Sequence, residues 1–276
     1  MPQVWACFAA MNVDAMQGRV VLIIGGTSGL GLSAAQALVR VGARVVVTGR
    51  SDDKVAQATT QLGAMNSRGL AGNAADSSSI DEAVALAVRD FDRLDALYHV
   101  AGGSGRSQGD GKLHEVTDAG IDYTLGLNLK SLIYSNRAAV QQFLKQGDGG
   151  VILNMGSVLG VSPSPDFFAS HVYAATKSAV IGFTKSIASF YAKDNIRANV
   201  IAPALVESPM SQRALGNDAI MDFVALKQPL DGGRIGCPQD LDEAAVFFLS
   251  EASRFVTGQW LAVDGGWTVT EGRARN

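Results

Sequence analysis

Cysteine is nearly absent from this chain of 276 residues: the two present, Cys7 and Cys237, stand at opposite ends with no metal-like spacing. A disulfide framework and a cysteine zinc site are thereby excluded, and a reducing cytoplasm is the expected compartment. Histidine is as scarce. His99, His114 and His171 form no ligand pattern such as HExxH, so no metal is expected. No apolar run approaches the ~18 residues that a membrane span needs. The 23 Lys and Arg, against 26 Asp and Glu, are dispersed without clusters, which leaves no footprint for nucleic acid or an anionic membrane. No Lys or Arg precedes Arg19, so the short apolar stretch from Val4 to Ala10 lacks the charged start of a secretory signal. Residues 1–17 read as a flexible extension, and 18–276 as one domain.

What is present is a hydrophobic fraction of 47%, enough for a substantial core. It comes in short β-branched runs: Val20–Ile24, Arg44–Thr48, Arg68–Ala71, Ala96–Val100, Val151–Asn154, Ile196–Ile201 and Trp260–Val263. Runs this short and this apolar suit strands buried on both faces of a parallel sheet. Helical patterns separate them, over Gly29–Val41, Asp53–Leu62, Ser78–Phe91, a long Asp118–Lys145, Tyr173–Lys193 and Asp240–Leu249. Ser51 is the expected cap of the second helix, and Ser77 or Ser78 that of the third. Seven strands alternating with helices, with no linker between them, imply a single-domain, Rossmann-like, doubly wound α/β fold with a mainly parallel sheet. The segment Gly102–Gly111 follows a strand and reads as an active-site loop.

Two motifs carry chemistry. The first strand runs into Gly25-Gly26-Thr27-Ser28-Gly29-Leu30-Gly31, which opens a helix. Gly25 allows the tight turn, Gly29 lets backbone amides approach phosphates, and Gly31 lets the helix pack close to the sheet. The second is Tyr173-Ala174-Ala175-Thr176-Lys177, sixteen residues after Ser157. At i and i+4 the phenol and the ammonium share a helical face. An ammonium at ~4 Å is worth up to roughly 4 kcal/mol at an effective dielectric of 20, so Lys177 is expected to lower the pKa of Tyr173.

In this order and context the motifs resemble the short-chain dehydrogenase/reductase family, from about residue 18 to 267, with a general look of its 3-oxoacyl-thioester reductases. The resemblance rests on the glycine loop, Ala75-Asp76, Ala101-Gly102, Leu127-Asn128-Leu129, Gly156-Ser157, Tyr173 with Lys177, the run Pro203 to Met210, and Asp264-Gly265-Gly266. Four supporting positions depart from the family pattern: Ile24 for Thr, His99-Val100 for Asn-Asn, Gly156 for Ser, and Ala204 for Gly.

The resemblance implies hydride exchange between a nicotinamide and a carbonyl or secondary alcohol. Tyr173 would act as general acid/base beside Lys177, Ser157 would hold the substrate oxygen, and Asn128 would hold a water that links Lys177 to solvent. Cofactor contacts would come from Gly25, Thr27, Ser28, Gly29, Leu30, Gly31, Ala75, Asp76, Ala101, Gly102, Tyr173, Lys177, Pro203, Val206 and Ser208. It also implies a small-molecule substrate and a homo-oligomer, tetramer or dimer, in which Asp118–Lys145 and Tyr173–Lys193 would pair across a two-fold axis and Trp260–Val263, with the helix before it, would form a second interface. At the end of the second strand, where an acid would favour NAD(H), stand Gly49 and Arg50. A guanidinium suits a 2′-phosphate, so NADP(H) is the expected cofactor and NAD(H) the alternative. A dinucleotide-binding sensor without turnover is the competing reading, and the presence of both Tyr173 and Lys177 argues against it. Met210, Met221, Phe223 and Leu226, in a lid between Ser208 and Gln228, are available to face an apolar part of the substrate.

Overall fold

The computed structural model describes residues 15–272. All seven expected strands form: β1 (Val20–Ile24), β2 (Arg44–Gly49), β3 (Ser67–Ala71), β4 (Ala96–His99), β5 (Gly150–Met155), β6 (Ile196–Pro203) and β7 (Trp260–Val263). They lie parallel in one sheet, in the order β3-β2-β1-β4-β5-β6-β7. The chain steps outward from β1 to β3, returns to lay β4 beside β1, and steps outward the other way. That reversal opens a crevice beyond the C-terminal ends of β1 and β4.

The helices are α1 (Gly29–Arg40), α2 (Asp52–Leu62), α3 (Ser77–Phe91), α4 (Asp118–Leu125), α5 (Ser131–Gln146), α6 (His171–Tyr191), α7 (Gln212–Leu215), α8 (Asp218–Lys227) and α9 (Asp242–Leu249). The two-residue period of a strand divides their packing. Val21 and Ile23 of β1 meet Leu38 of α1 and Leu249 of α9 on one face. Val20, Leu22 and Ile24 meet Ile80 of α3 and Phe143 of α5 on the other. Each such side chain, fully buried, contributes about 1.5–3 kcal/mol, so β1 is held from both sides.

Three expectations are corrected, and the form of a fourth segment is added. The long helix Asp118–Lys145 is not continuous: a π turn, Gly126–Lys130, separates α4 from α5. There the Asn128 amide donates to the Thr124 carbonyl and the Ser131 hydroxyl to that of Leu127, so side chains compete with the backbone ladder where Gly126 weakens it. The cap of α3 is Asp76, which accepts the Ser78 amide, rather than Ser77 or Ser78. The expected lid folds in part as α7 and α8. Met16, assigned to the extension, is buried in the core, with its amide on the Val41 carbonyl. Residues 1–14 of that extension, Cys7 included, lie outside the described residues. Among those described, no helix is long and apolar enough to cross a membrane.

Candidate active site

Segments that follow β4, β5 and β6, together with Leu30 of α1 and Trp267 beyond β7, enclose a cavity of about 420 Å³ at the C-terminal edge of the sheet. Ser157, Tyr173 and Lys177 share its wall, joined by Leu30, Gly102, Pro203, Val206 and Ser208. The start of α6 is anchored from outside the helix. Buried Asp110 accepts the amides of Val172 and Tyr173 at 3.2 and 3.0 Å, which fixes where the phenol emerges. Ser157 leaves β5 in an extended conformation and accepts the Leu159 amide at 3.2 Å.

Electrostatically the wall differs from the expectation. Burial raises the Tyr173 phenol above its ordinary value, and a hydrogen bond with Ser157 draws it only partly back. Lys177 is buried too, and burial pushes its ammonium down to about 8. Its Nζ donates to the Met155 carbonyl at 2.9 Å and lies 5.6 Å from the centre of the Tyr173 ring. In place of the expected lowering by Lys177, desolvation of the phenolate raises the phenol, and the group that opposes the rise is Ser157. Asn128 also has a structural part. Its side chain accepts the Gly103 amide and donates to the Gly103 and Thr124 carbonyls, so it pins the loop after β4.

The glycine loop sits at the mouth of β1. Gly25 has φ +86° and lies against the Ala101 backbone, and a Cβ on Gly31 would collide with the Gly25 carbonyl. Ser28, the residue before α1, offers its side chain to none of the first-turn amides. Helices α2, α3, α4 and α8 are each capped by a side chain: Ser51, Asp76, Thr117 and Asn217. The start of α1 thus keeps unsatisfied N–H groups pointed at the crevice, and these residues fit the phosphates of a dinucleotide. Arg50 follows β2 as an exposed guanidinium with no ion pair or hydrogen bond among the described residues. Thr27 packs against Gly49. Ala75 donates its amide to Asn73, and Ala101 donates to the Ile24 carbonyl.

Gly25, Thr27, Ser28, Gly29, Gly31, Arg50, Ala75, Asp76, Ala101 and Asn128 do not line the cavity itself. His99 is removed from it as well. Its buried ring lies between Ser135 and Ser131, at 2.8 and 3.4 Å. Of the four apolar lid residues only Met210 reaches the cavity. Phe223 instead packs on Phe167 and Trp267, with ring centres 5.3 and 5.6 Å away. Sequence reasoning missed Arg106, Arg213 and Trp267, which do line it. Arg106 carried a signal, as the sole cation within the loop Gly102–Gly111.

A doubly wound sheet with such a wall beside its switch point is the architecture of a dinucleotide-dependent oxidoreductase. A family profile described as enoyl-(acyl carrier protein) reductase matches residues 25–268. The chain is 34% identical to 2-dehydro-3-deoxy-D-gluconate 5-dehydrogenase of Dickeya dadantii, over 93% of this chain and 98% of the relative. It is 31% identical to a 3-oxoacyl-[acyl-carrier-protein] reductase of Salmonella typhimurium, over 91% and 97%. The crystal structure of a gluconate 5-dehydrogenase from Burkholderia cenocepacia, in complex with NADP and tartrate, superposes with a TM-score of 0.86 at 28% identity, over 94% and 99%. The chain belongs to the short-chain dehydrogenase/reductase family, and is an oxidoreductase of the alcohol–carbonyl pair.

Proposed function

We propose that the chain interconverts a carbonyl and a secondary alcohol, with NADP(H) as the preferred cofactor and Tyr173 as general acid/base. The observation that carries this reading is the shared wall: a hydroxyl, a phenol and a buried ammonium face one cavity. A nicotinamide, when bound, supplies or accepts the hydride. In the reducing direction Tyr173 donates its proton to the carbonyl oxygen, which Ser157 holds by a hydrogen bond. In the oxidising direction the phenolate takes that proton from the alcohol. Burial disfavours the phenolate and the Ser157 hydrogen bond opposes that, while the nearby Lys177 ammonium is the cation placed to stabilise it further when the site is filled. Met155 occupies one of the three N–H donors of Lys177, and the other two are available to ribose hydroxyls.

Arg50 supports the choice of NADP(H). Among the described residues its guanidinium has no counter-ion, while Asp52 and Asp53 lie in the first turn of α2, where the helix dipole favours them. The Burkholderia cenocepacia relative was solved with NADP, which favours the same cofactor. The test is a panel of ketones, sugars and acyl thioesters with NADPH and with NADH, read by absorbance of the reduced cofactor. NADPH should be preferred, and Arg50→Ala should weaken NADPH about tenfold or more while sparing NADH. A wild-type preference for NADH, or an equal loss for both, would overturn the cofactor assignment.

A further inference from the structure

The cavity wall away from Tyr173 holds two cations that the hydride-transfer reading does not use. Arg106, in the loop after β4, and Arg213, in α7, both line the cavity. Each donates through Nη2 to the same acceptor, the Phe167 carbonyl in the segment before α6, at 3.1 Å. Three loops thus converge on one oxygen. A peptide carbonyl carries no net charge, and a guanidinium has five N–H donors, so two positive charges stand together largely unspent. Neither arginine forms a salt bridge with an Asp or Glu among the described residues.

Arg106 is half-buried. Burial, followed by the like charge of Arg213, lowers its pKa, and Asp110 opposes both. Asp110 is the carboxylate whose charge reaches Arg106, and its two oxygens also hold the amides of Val172 and Tyr173, so one carboxylate stands against two guanidinium groups. The guanidinium of Arg213 lies 5.9 Å from the centre of the Phe168 ring, a contact that orients it across the wall. The cavity that the two arginines share with the tyrosine is also lined by Leu159, Phe168, Met210 and Trp267, and by uncharged Ser104, Ser107, Ser170 and Ser211. Two like charges served by a single carboxylate leave an excess of positive charge, which an anionic ligand group relieves.

We propose that Arg106 and Arg213 form a clamp for an oxyanion, so that the substrate of the reaction proposed above carries a carboxylate or a phosphate apart from its reacting carbon. The substrate class is then an oxo or hydroxy acid, or a phosphorylated ketone or alcohol, in place of a neutral one. The inference rests on the proposed function for the reaction, but the clamp itself is read by binding alone.

The experiment titrates malonate, inorganic phosphate and neutral malonamide calorimetrically into the full chain saturated with its preferred nicotinamide cofactor. At least one anion should bind and malonamide should not; malonate and phosphate separate the carboxylate source from the phosphate source. Arg213→Gln, at an exposed position that leaves the fold intact, should weaken the anion about tenfold or more, and so should Arg106→Gln. Arg106→Lys should restore part of the binding if Arg106→Gln folds poorly. Absence of anion binding, or equal binding in Arg213→Gln, overturns the clamp. A parallel fall in cofactor affinity in both variants also overturns it, because the pair would then be holding a cofactor phosphate. Malonate bound by wild type and by Tyr173→Phe alike, in a chain that turns over no carbonyl compound, leaves the clamp standing and removes the reaction instead.

Discussion

At the scale of single residues, burial decides most of the chemistry. On the proposed mechanism, removing the Tyr173 hydroxyl while keeping the ring deletes proton transfer and little else. Tyr173→Phe should lower kcat by ~10²–10⁴-fold with cofactor affinity nearly unchanged. A variant that keeps most of the wild-type rate in steady-state assays would remove Tyr173 from the mechanism. His99 shows the same physics in a residue with no catalytic part. Burial first, then the Lys177 charge, pushes its imidazole down to about 3, while a hydrogen bond that the ring donates to the Ala101 backbone opposes them. The unfolded chain takes up this proton near the ordinary value of ~6.5, well before the folded chain does. The stability that comes from the neutral ring is therefore complete above that value and is lost as pH falls toward about 3. Near pH 5 the loss should be about 2 kcal/mol. Urea unfolding should show a gentler acid slope for His99→Asn than for wild type, and equal slopes would contradict the assignment.

Among the elements, the turn from β1 into α1 is the most constrained. Alanine normally favours a helix over glycine by about 1 kcal/mol. At Gly31 the sign should reverse, since the added Cβ would meet the Gly25 carbonyl, which is backbone and cannot rotate aside. Gly31→Ala should destabilise the chain by about 1–3 kcal/mol in denaturant titrations and weaken cofactor binding with it. A stabilised variant would mean that the loop is looser than this geometry. The π turn at Gly126–Lys130 is a second such element. It was not legible in the sequence, because the pattern Asp118–Lys145 is helical on both sides of it. Only the side-chain bonds of Asn128 and Ser131 reveal the break.

For the whole molecule, the exposed apolar residues are unevenly spread. Tyr123 and Leu125 on α4, Ile133 and Leu144 on α5, and Phe190 on α6 are exposed on the helices expected to pair across a two-fold axis. Phe247, Phe255, Leu261 and Val269 are exposed around β7, the edge strand of the sheet. Both places are those expected from the family resemblance to form isologous contacts, which close into dimers and tetramers. We therefore expect a homo-oligomer, most simply a tetramer, by light scattering at micromolar concentration. A monomer there would refute it.

The sequence by itself determined the strands, their alternation with helices and the spacing of Tyr173 and Lys177 on one helical face, because each rests on local features. Strand periodicity, glycine turns and i, i+4 spacing are properties of neighbours along the chain, and they survive whatever packs around them. Only the tertiary structure decided how those groups are charged and what else faces them. The upward shift of Tyr173, the bond from Lys177 to Met155 and the withdrawal of Phe223 into a cluster with Trp267 all depend on desolvation and contacts between distant segments. The meeting of Arg106 and Arg213 at one carbonyl is the clearest case: 107 positions separate them in the chain, and nothing in the spacing of either foretells that two loops fold onto Phe167.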